Sequence, residues 1–171
     1  MRLSQNIRVS NHIHIAQMKH SIYSNFESSE ALRYLDVHPV LPEGTPKEFS
    51  DSWYTLMVPL LLNSALCALR LPSASSPSTH NAELAIKSTT RALNLSAFSL
   101  TPQDKGKALY RRALAEVALK QEDAAEADLV EASALVPGDD AIKKELAKVK
   151  AKKKEKRDKE KQAYKNMFSS A

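Results

Sequence analysis

The chain has little of what builds a phosphate loop, a disulfide or a zinc site. Glycine occurs three times in 171 residues, as Gly44, Gly106 and Gly138. Phosphate-cradling loops need glycine for close backbone approach, and neither G-x-G-x-x-G nor G-K-[ST] is present. Cys67 is the single cysteine, which excludes an intrachain disulfide and a multi-cysteine zinc site. It lies in the apolar helical run LLLNSALCALRL and reads as a buried structural thiol, in keeping with a reducing, cytoplasmic setting. The N-terminal MRLSQNIRVSNHIHIAQMKH has no apolar stretch of the secretory type. Its lack of acids before Glu27 bears a faint likeness to a transit peptide. The longest apolar run, LMVPLLL, is too short to span a bilayer, so the expectation is a soluble protein without a membrane span.

Ala, Leu, Lys and Glu dominate instead, and 43% of the residues are hydrophobic. Strong helix formers with little glycine predict an all-α protein. The net charge of +5 is uneven. Residues 139–171 hold 12 Lys/Arg against 6 Asp/Glu, and the rest of the chain is nearly neutral. Basicity belongs to the tail.

Helical periodicity predicts segments over about 7–20, 27–37, 49–71, 82–95, 103–120 and 123–135. A last helix runs from Asp139 toward Phe168. Pro59 demands a helix start near Val58 or a kink. PSASSPSTHN reads as an exposed loop, and VPGDD ends one helix and caps the next. Short antiparallel helices joined by brief turns suggest a repeat. The best unit is residues 107–137, with Ala113, Ala125, Leu129 and Ala132 as small or apolar positions and Pro137 as its stop. It resembles a tetratricopeptide repeat, with Glu116 standing where that pattern favours an aromatic residue. Asn63, Ala65, Ala85 and Ala92 fit a second unit, and Ala31, Leu32 and Tyr34 fit the end of a first. The division expected is a divergent segment over 1–30, tetratricopeptide-like repeats over 31–138, and a basic capping and projecting helix over 139–171.

ALRYLDVHP, LLLNSALCALRL, KALYRRA and KEKQAYKNMF together resemble the tetratricopeptide portion of the large immunophilins. The pattern is nearest that of the forty-kilodalton cyclophilins, fungal ones in particular. The resemblance covers residues 31–168. It implies an adaptor that binds the acidic C-terminal peptide of heat-shock protein 90 or 70. In that family a clamp of Lys, Arg and Asn side chains holds the peptide's last two carboxylates. By motif position Asn63 matches the second-repeat Asn, and Lys107 and Arg111 match the third-repeat pair. The first-repeat Lys and Asn do not transfer. Their positions fall near Val9 and Ile13, and Lys19 and Asn11 are out of register. The implied clamp is therefore partial. The family's isomerase domain has no counterpart in this sequence, so no isomerase activity and no cofactor are expected. The alternative from the same resemblance is a piece of a prolyl isomerase.

The physics suits the implied role. Residues i and i+4 share a helix face, so Lys107 and Arg111 can point into one groove. Arg offers a planar fork to a carboxylate and Lys a compact charge. The plain alternatives are a solvated helix face for Lys107 and Arg111, and an Asn63 that satisfies buried backbone. Arg112 faces elsewhere and reads as an ordinary surface cation. Trp53 and Tyr54 read as packing anchors. His12, His14 and His20 lack further ligands at metal-binding spacing, so no metal is expected.

In the tail, Ile142, Leu146 and Val149 should pack the start of the last helix over the final repeat. From Lys150 to Lys161 the apolar stripe is lost, predicting a solvated helix held by i,i+4 charge pairs. Tyr164, Met167 and Phe168 form an apolar end after the basic run. That pattern resembles helices bound by calmodulin or acidic surfaces and supplies a third reading, a scaffold with a basic docking tail. Cations all around the helix with few aromatics argue against nucleic acid.

Overall fold

Helix α1 spans Lys47–Arg70 and α2 spans Thr79–Leu93. Helices α3, α4 and α5 follow at Pro102–Ala118, Glu122–Leu135 and Asp140–Ser169. The computed structural model describes residues 46–71, 79–95 and 100–169. The helices expected over 7–20 and 27–37, the repeat residues Ala31, Leu32 and Tyr34, and the three-histidine cluster lie outside the described residues. Among those described there is no strand. The all-α expectation holds, with helical hairpins as the repeating element. Two compact units divide at Leu100 and Thr101.

In the first unit, α1 and α2 pack together. Trp53, Met57, Leu61, Ala65 and Ala68 recur at three- and four-residue spacing and are buried, which gives α1 one apolar ridge. Ala82, Ala85, Thr89 and Ala92 form the matching face of α2. Small residues there let the large α1 side chains approach. Thr89 is fully buried yet satisfied, because its hydroxyl donates to the Ala85 carbonyl at 2.7 Å. Cys67 is buried and outside any disulfide, as expected. Trp53 is buried and meets Tyr54 edge to face, with centroids 5.0 Å apart.

Helix α1 runs on through Pro59 rather than starting there. Proline removes one N–H and so frees the Thr55 carbonyl from the helical ladder. Both residues are exposed, so water can take that carbonyl. The stretch Ser50–Arg70 is also long and apolar enough to cross a membrane by length and composition. LMVPLLL falls short of that length by itself and its neighbours in the helix make it up; the core helix of a soluble protein meets the same criterion. The apolar ridge of α1 is packed against α2.

The second unit holds α3, α4 and α5 in sequence, each packed on the next. The start of α3 lies so close to the end of α4 that a Cβ on Gly106 would sit 2.6 Å from Val136 Cγ2. The turn between α3 and α4 is a Schellman closure. Lys120 adopts φ 61°, Gln121 N–H donates to the Glu116 carbonyl at 2.8 Å, and Lys120 N–H to Val117 at 3.1 Å. Asp139 caps α5 by accepting from the N–H groups of Ala141 and Ile142. Ile142 and Val149 are buried and Leu146 is half-buried, so the start of α5 packs on α4 as expected.

The helix beyond Lys150 departs from the expectation. Lys152 pairs with Glu122 at 2.9 Å, and Lys153 pairs with Asp123 and Glu126. Two lysines thus fasten α5 to the first turn of α4, where acids also complement the helix dipole. A local i,i+4 pair appears further along, between Glu155 and Lys159.

Candidate functional site: the cationic face of α3

Helix α3 begins with a reciprocal cap. Asp104 N–H donates to Thr101 Oγ1 at 3.1 Å, and the Thr101 hydroxyl donates to Asp104 Oδ2 at 2.8 Å. Pro102 stands at the first helical turn, where its missing N–H costs nothing. The signal T-x-x-D is present in the sequence, at the start of the helix expected over 103–120. The cap fixes where α3 starts, and hence which residues share a face.

Lys107 and Arg111 fall one turn apart on that helix. Lys107 is 57% exposed, and its Nζ lies 3.2 Å from Asp104 Oδ1. Arg111 is half-buried. Both charges act on Asp104. Burial works against ionisation of that carboxyl. Hydrogen bonds from Thr101 and Lys107 and the charges of Lys107 and Arg111 outweigh it, and the pKa sits below the ordinary carboxylate value. Both cations thus favour the ionised form of a carboxylate at this place. Asn63 lies on α1, in the other compact unit, and is exposed between buried Leu62 and half-buried Ser64. Of the three residues named from sequence, the two on α3 are brought together.

Arg112 is not a surface cation. Its Nε donates to Asp128 Oδ2 at 2.6 Å and its Nη2 to Asp128 Oδ1 at 2.7 Å. This two-toothed bridge joins α3 to α4 and raises the guanidinium pKa, chiefly through the Asp128 hydrogen bond. Glu116 adjoins it, with Oε1 4.0 Å from Arg112 Nε. Glu116 is 8% exposed, and its buried Oε2 has no hydrogen-bond partner. Burial, reinforced by the charge of Asp128, pushes its carboxyl up to about 7 against the pull of Arg112. The sequence did carry a signal for this group. Arg112 and Glu116 are at i,i+4, and an acid at 116 displaced the expected aromatic.

The bridge positions the site. Successive residues on a helix point about 100° apart. Tying Arg112 inward to Asp128 turns Arg111 toward another face of α3. Nearby, Lys105 Nζ lies 2.7 Å from Glu131 Oε1, a second and more exposed link between the two helices.

No family model matches the chain. Among curated proteins it is similar to Peptidyl-prolyl cis-trans isomerase D of Cryptococcus neoformans var. neoformans serotype D. The identity is 52% over 139 residues, covering 81% of this chain and 36% of that relative. It is also similar to Peptidyl-prolyl cis-trans isomerase D of Mycosarcoma maydis, 39% identical over 149 residues, with 82% of this chain and 37% of that relative covered. The chain thus spans about a third of the length of the curated relatives it matches. No isomerase catalytic domain is evident among the described residues, which form helices and their connections. The chain is a relative of these fungal isomerase D proteins, over most of its own length and about a third of theirs.

Proposed function

We propose that this chain is a cytoplasmic co-chaperone adaptor. It captures the acidic C-terminal peptide of heat-shock protein 90 or 70 through a partial carboxylate clamp whose cations are Lys107 and Arg111 on α3. One observation carries the reading: Lys107 and Arg111 fall one turn apart on one face of α3, and the charges of both favour the ionised form of the neighbouring Asp104. The relation to proteins of the immunophilin kind supports it. The mechanism is electrostatic capture with no bond made or broken. A charge-assisted hydrogen bond contributes roughly 1.5–3 kcal/mol net, and an exposed Lys falls at or below the low end. Two or three such contacts, with apolar contacts from the peptide, give micromolar binding.

Titration calorimetry with the peptide Met-Glu-Glu-Val-Asp tests this. The free-acid peptide should bind with micromolar affinity, and either C-terminal amidation or Arg111→Ala should weaken binding at least about tenfold. Equal binding by the acid and the amide would overturn the clamp. The relatives' name speaks of prolyl isomerisation. A peptide isomerase assay on this chain should show no rate above background.

The tail supports a second reading, a scaffold that docks calmodulin or an acidic protein surface. Lys150, Lys154, Arg157 and Lys161 are exposed along α5, and Tyr164 and Met167 near its end are 65% and 74% exposed. Salt-sensitive binding that survives Arg111→Ala but not removal of residues 154–171 would favour it.

A further inference from the structure

Asp104 caps α3 and lies beside two cations of the same helix. It lies three residues before Lys107 and seven before Arg111, so all three share one face. Its two oxygens are divided between two tasks. Oδ2 accepts from the Thr101 hydroxyl at 2.8 Å, which anchors the carboxylate to the helix start. Oδ1 accepts from Lys107 Nζ at 3.2 Å. The Arg111 charge reaches the same carboxylate and favours its ionised form. An ordinary N-terminal acid answers only the helix dipole and its own cap. This one also engages the cations to which an acidic ligand would have to bind.

We propose that Asp104 is a built-in competitor, a tethered carboxylate that engages the Lys107–Arg111 face and must yield Lys107 before an acidic peptide can dock. The inference rests on the reading of that face as a carboxylate site and deepens it. The anchoring by Thr101 matters, because it keeps Asp104 beside the site after Lys107 is released. The fixed negative charge then opposes any arriving carboxylate, whether or not the hydrogen bond to Lys107 is intact. Like charges a few ångströms apart at a partly exposed site repel only modestly, so the competitor sets affinity rather than abolishing it. It also sets specificity. A ligand with a single carboxylate has to displace Asp104 for one new ion pair, whereas a peptide ending in paired carboxylates brings a second contact that offsets the loss. The partner class is therefore a peptide with a C-terminal aspartate or glutamate, and not a lone acidic side chain.

Asp104→Asn tests the proposal, because it removes the charge and keeps an oxygen able to accept from Thr101. Parent, Asp104→Asn, Lys107→Ala and the double variant are titrated with free-acid and amidated Met-Glu-Glu-Val-Asp, with circular dichroism confirming equal helix content. The expected result is a threefold to tenfold tighter Kd for Asp104→Asn with the free acid. The gain should be smaller with the amide, and smaller again when Lys107 is already Ala. If the parent binds and Asp104→Asn binds equally or more weakly, the competitor is overturned while the clamp stands. If neither binds the free acid, the clamp itself falls and the competitor with it. Binding that appears only in Asp104→Asn, and only with the free acid, would support both.

Discussion

The α1–α2 hairpin and the α3–α4 hairpin both bury rows of alanine, but they fill the rest of the interface differently. Helix α1 supplies Trp53, Met57, Val58, Leu61 and Leu62. The α3–α4 pair buries Leu109 and Leu129 as its large side chains and adds a charged group, Arg112 held by Asp128 with Glu116 alongside. Apolar burial is non-directional and depends little on pH or salt. A buried guanidinium–carboxylate bridge is directional, and it turns costly when one partner is lost. The difference teaches where register is needed. Arg112–Asp128 fixes the rotation of α3, and with it the face on which Lys107 and Arg111 lie.

Breaking the bridge should give the largest effect. Arg112→Ala leaves Asp128 and Glu116 as neighbouring carboxylates without their shared cation. The expected loss is roughly 3–5 kcal/mol of stability, measured by urea denaturation. Arg112→Met with Asp128→Leu removes both ends of the bridge and should cost far less. Leu61→Ala in the first hairpin should cost about 2–5 kcal/mol through its cavity, with little dependence on pH. Trp53 is the only tryptophan, so its fluorescence reports the first hairpin while far-UV circular dichroism reports every helix. In Arg112→Ala the dichroism transition should move to lower urea than the fluorescence transition. Coincident shifts would show that the two hairpins do not differ in the way argued.

Glu116 sharpens the same contrast through pH. Its carboxyl is raised from 4.5 to about 7 by burial and by Asp128. The folded chain therefore binds this proton more tightly than the unfolded chain. Glu116's contribution to stability is full below about pH 4.5, declines as pH rises through 7, and is flat beyond. Glu116→Gln removes that decline and can donate its amide to Asp128. At pH 8 the variant should be more stable than the parent by roughly 1–3 kcal/mol, with the difference shrinking toward pH 5. A pH-independent difference would show that Glu116 is solvated.

A third test probes how closely α3 and α4 approach. Gly106→Ala would place a Cβ 2.6 Å from Val136 Cγ2, so the Val136 side chain or the helix end that carries it has to shift. Overpacking costs about 1–3 kcal/mol, while Ala gains about 1 kcal/mol of helix propensity over Gly. The net expectation is a loss of about 1 kcal/mol in thermal unfolding, relieved when Val136 is also Ala.

Much of the fold was legible because it rests on periodicity. The 3.6-residue pattern located five helices to within a few residues, and the alanine and proline spacing of 107–137 outlined the α3–α4 hairpin. Lys107 and Arg111 were legible through the i,i+4 rule. What escaped depended on contacts between helices. Arg112 looked like its neighbour Arg111, because sequence alone does not reveal which of two adjacent cations turns inward. The fastening of Lys152 and Lys153 to α4 was hidden by a run of like residues with no marked register. The Thr101–Asp104 cap was local and could have been read.

The turn between α3 and α4 gives the smallest expected effect. Lys120 holds φ 61°, a conformation that crowds the Cβ of any L side chain and costs roughly 1–2 kcal/mol. The surrounding Schellman hydrogen bonds impose it, and Lys120 is exposed, so its side chain adds no buried contact. Lys120→Gly removes the Cβ strain. Two opposing terms remain: the greater chain entropy that Gly loses on folding, and a small favourable interaction between a cation and the helix C-terminus. The net expectation is a gain of about 0.5–1 kcal/mol, read in the dichroism transition and not in Trp53 fluorescence. Lys120→Ala keeps the Cβ and should show no such gain. If both variants gain equally, the Lys120 charge rather than its backbone angle is what destabilises the turn, and its proximity to the charged α3–α4 interface becomes the thing to explain.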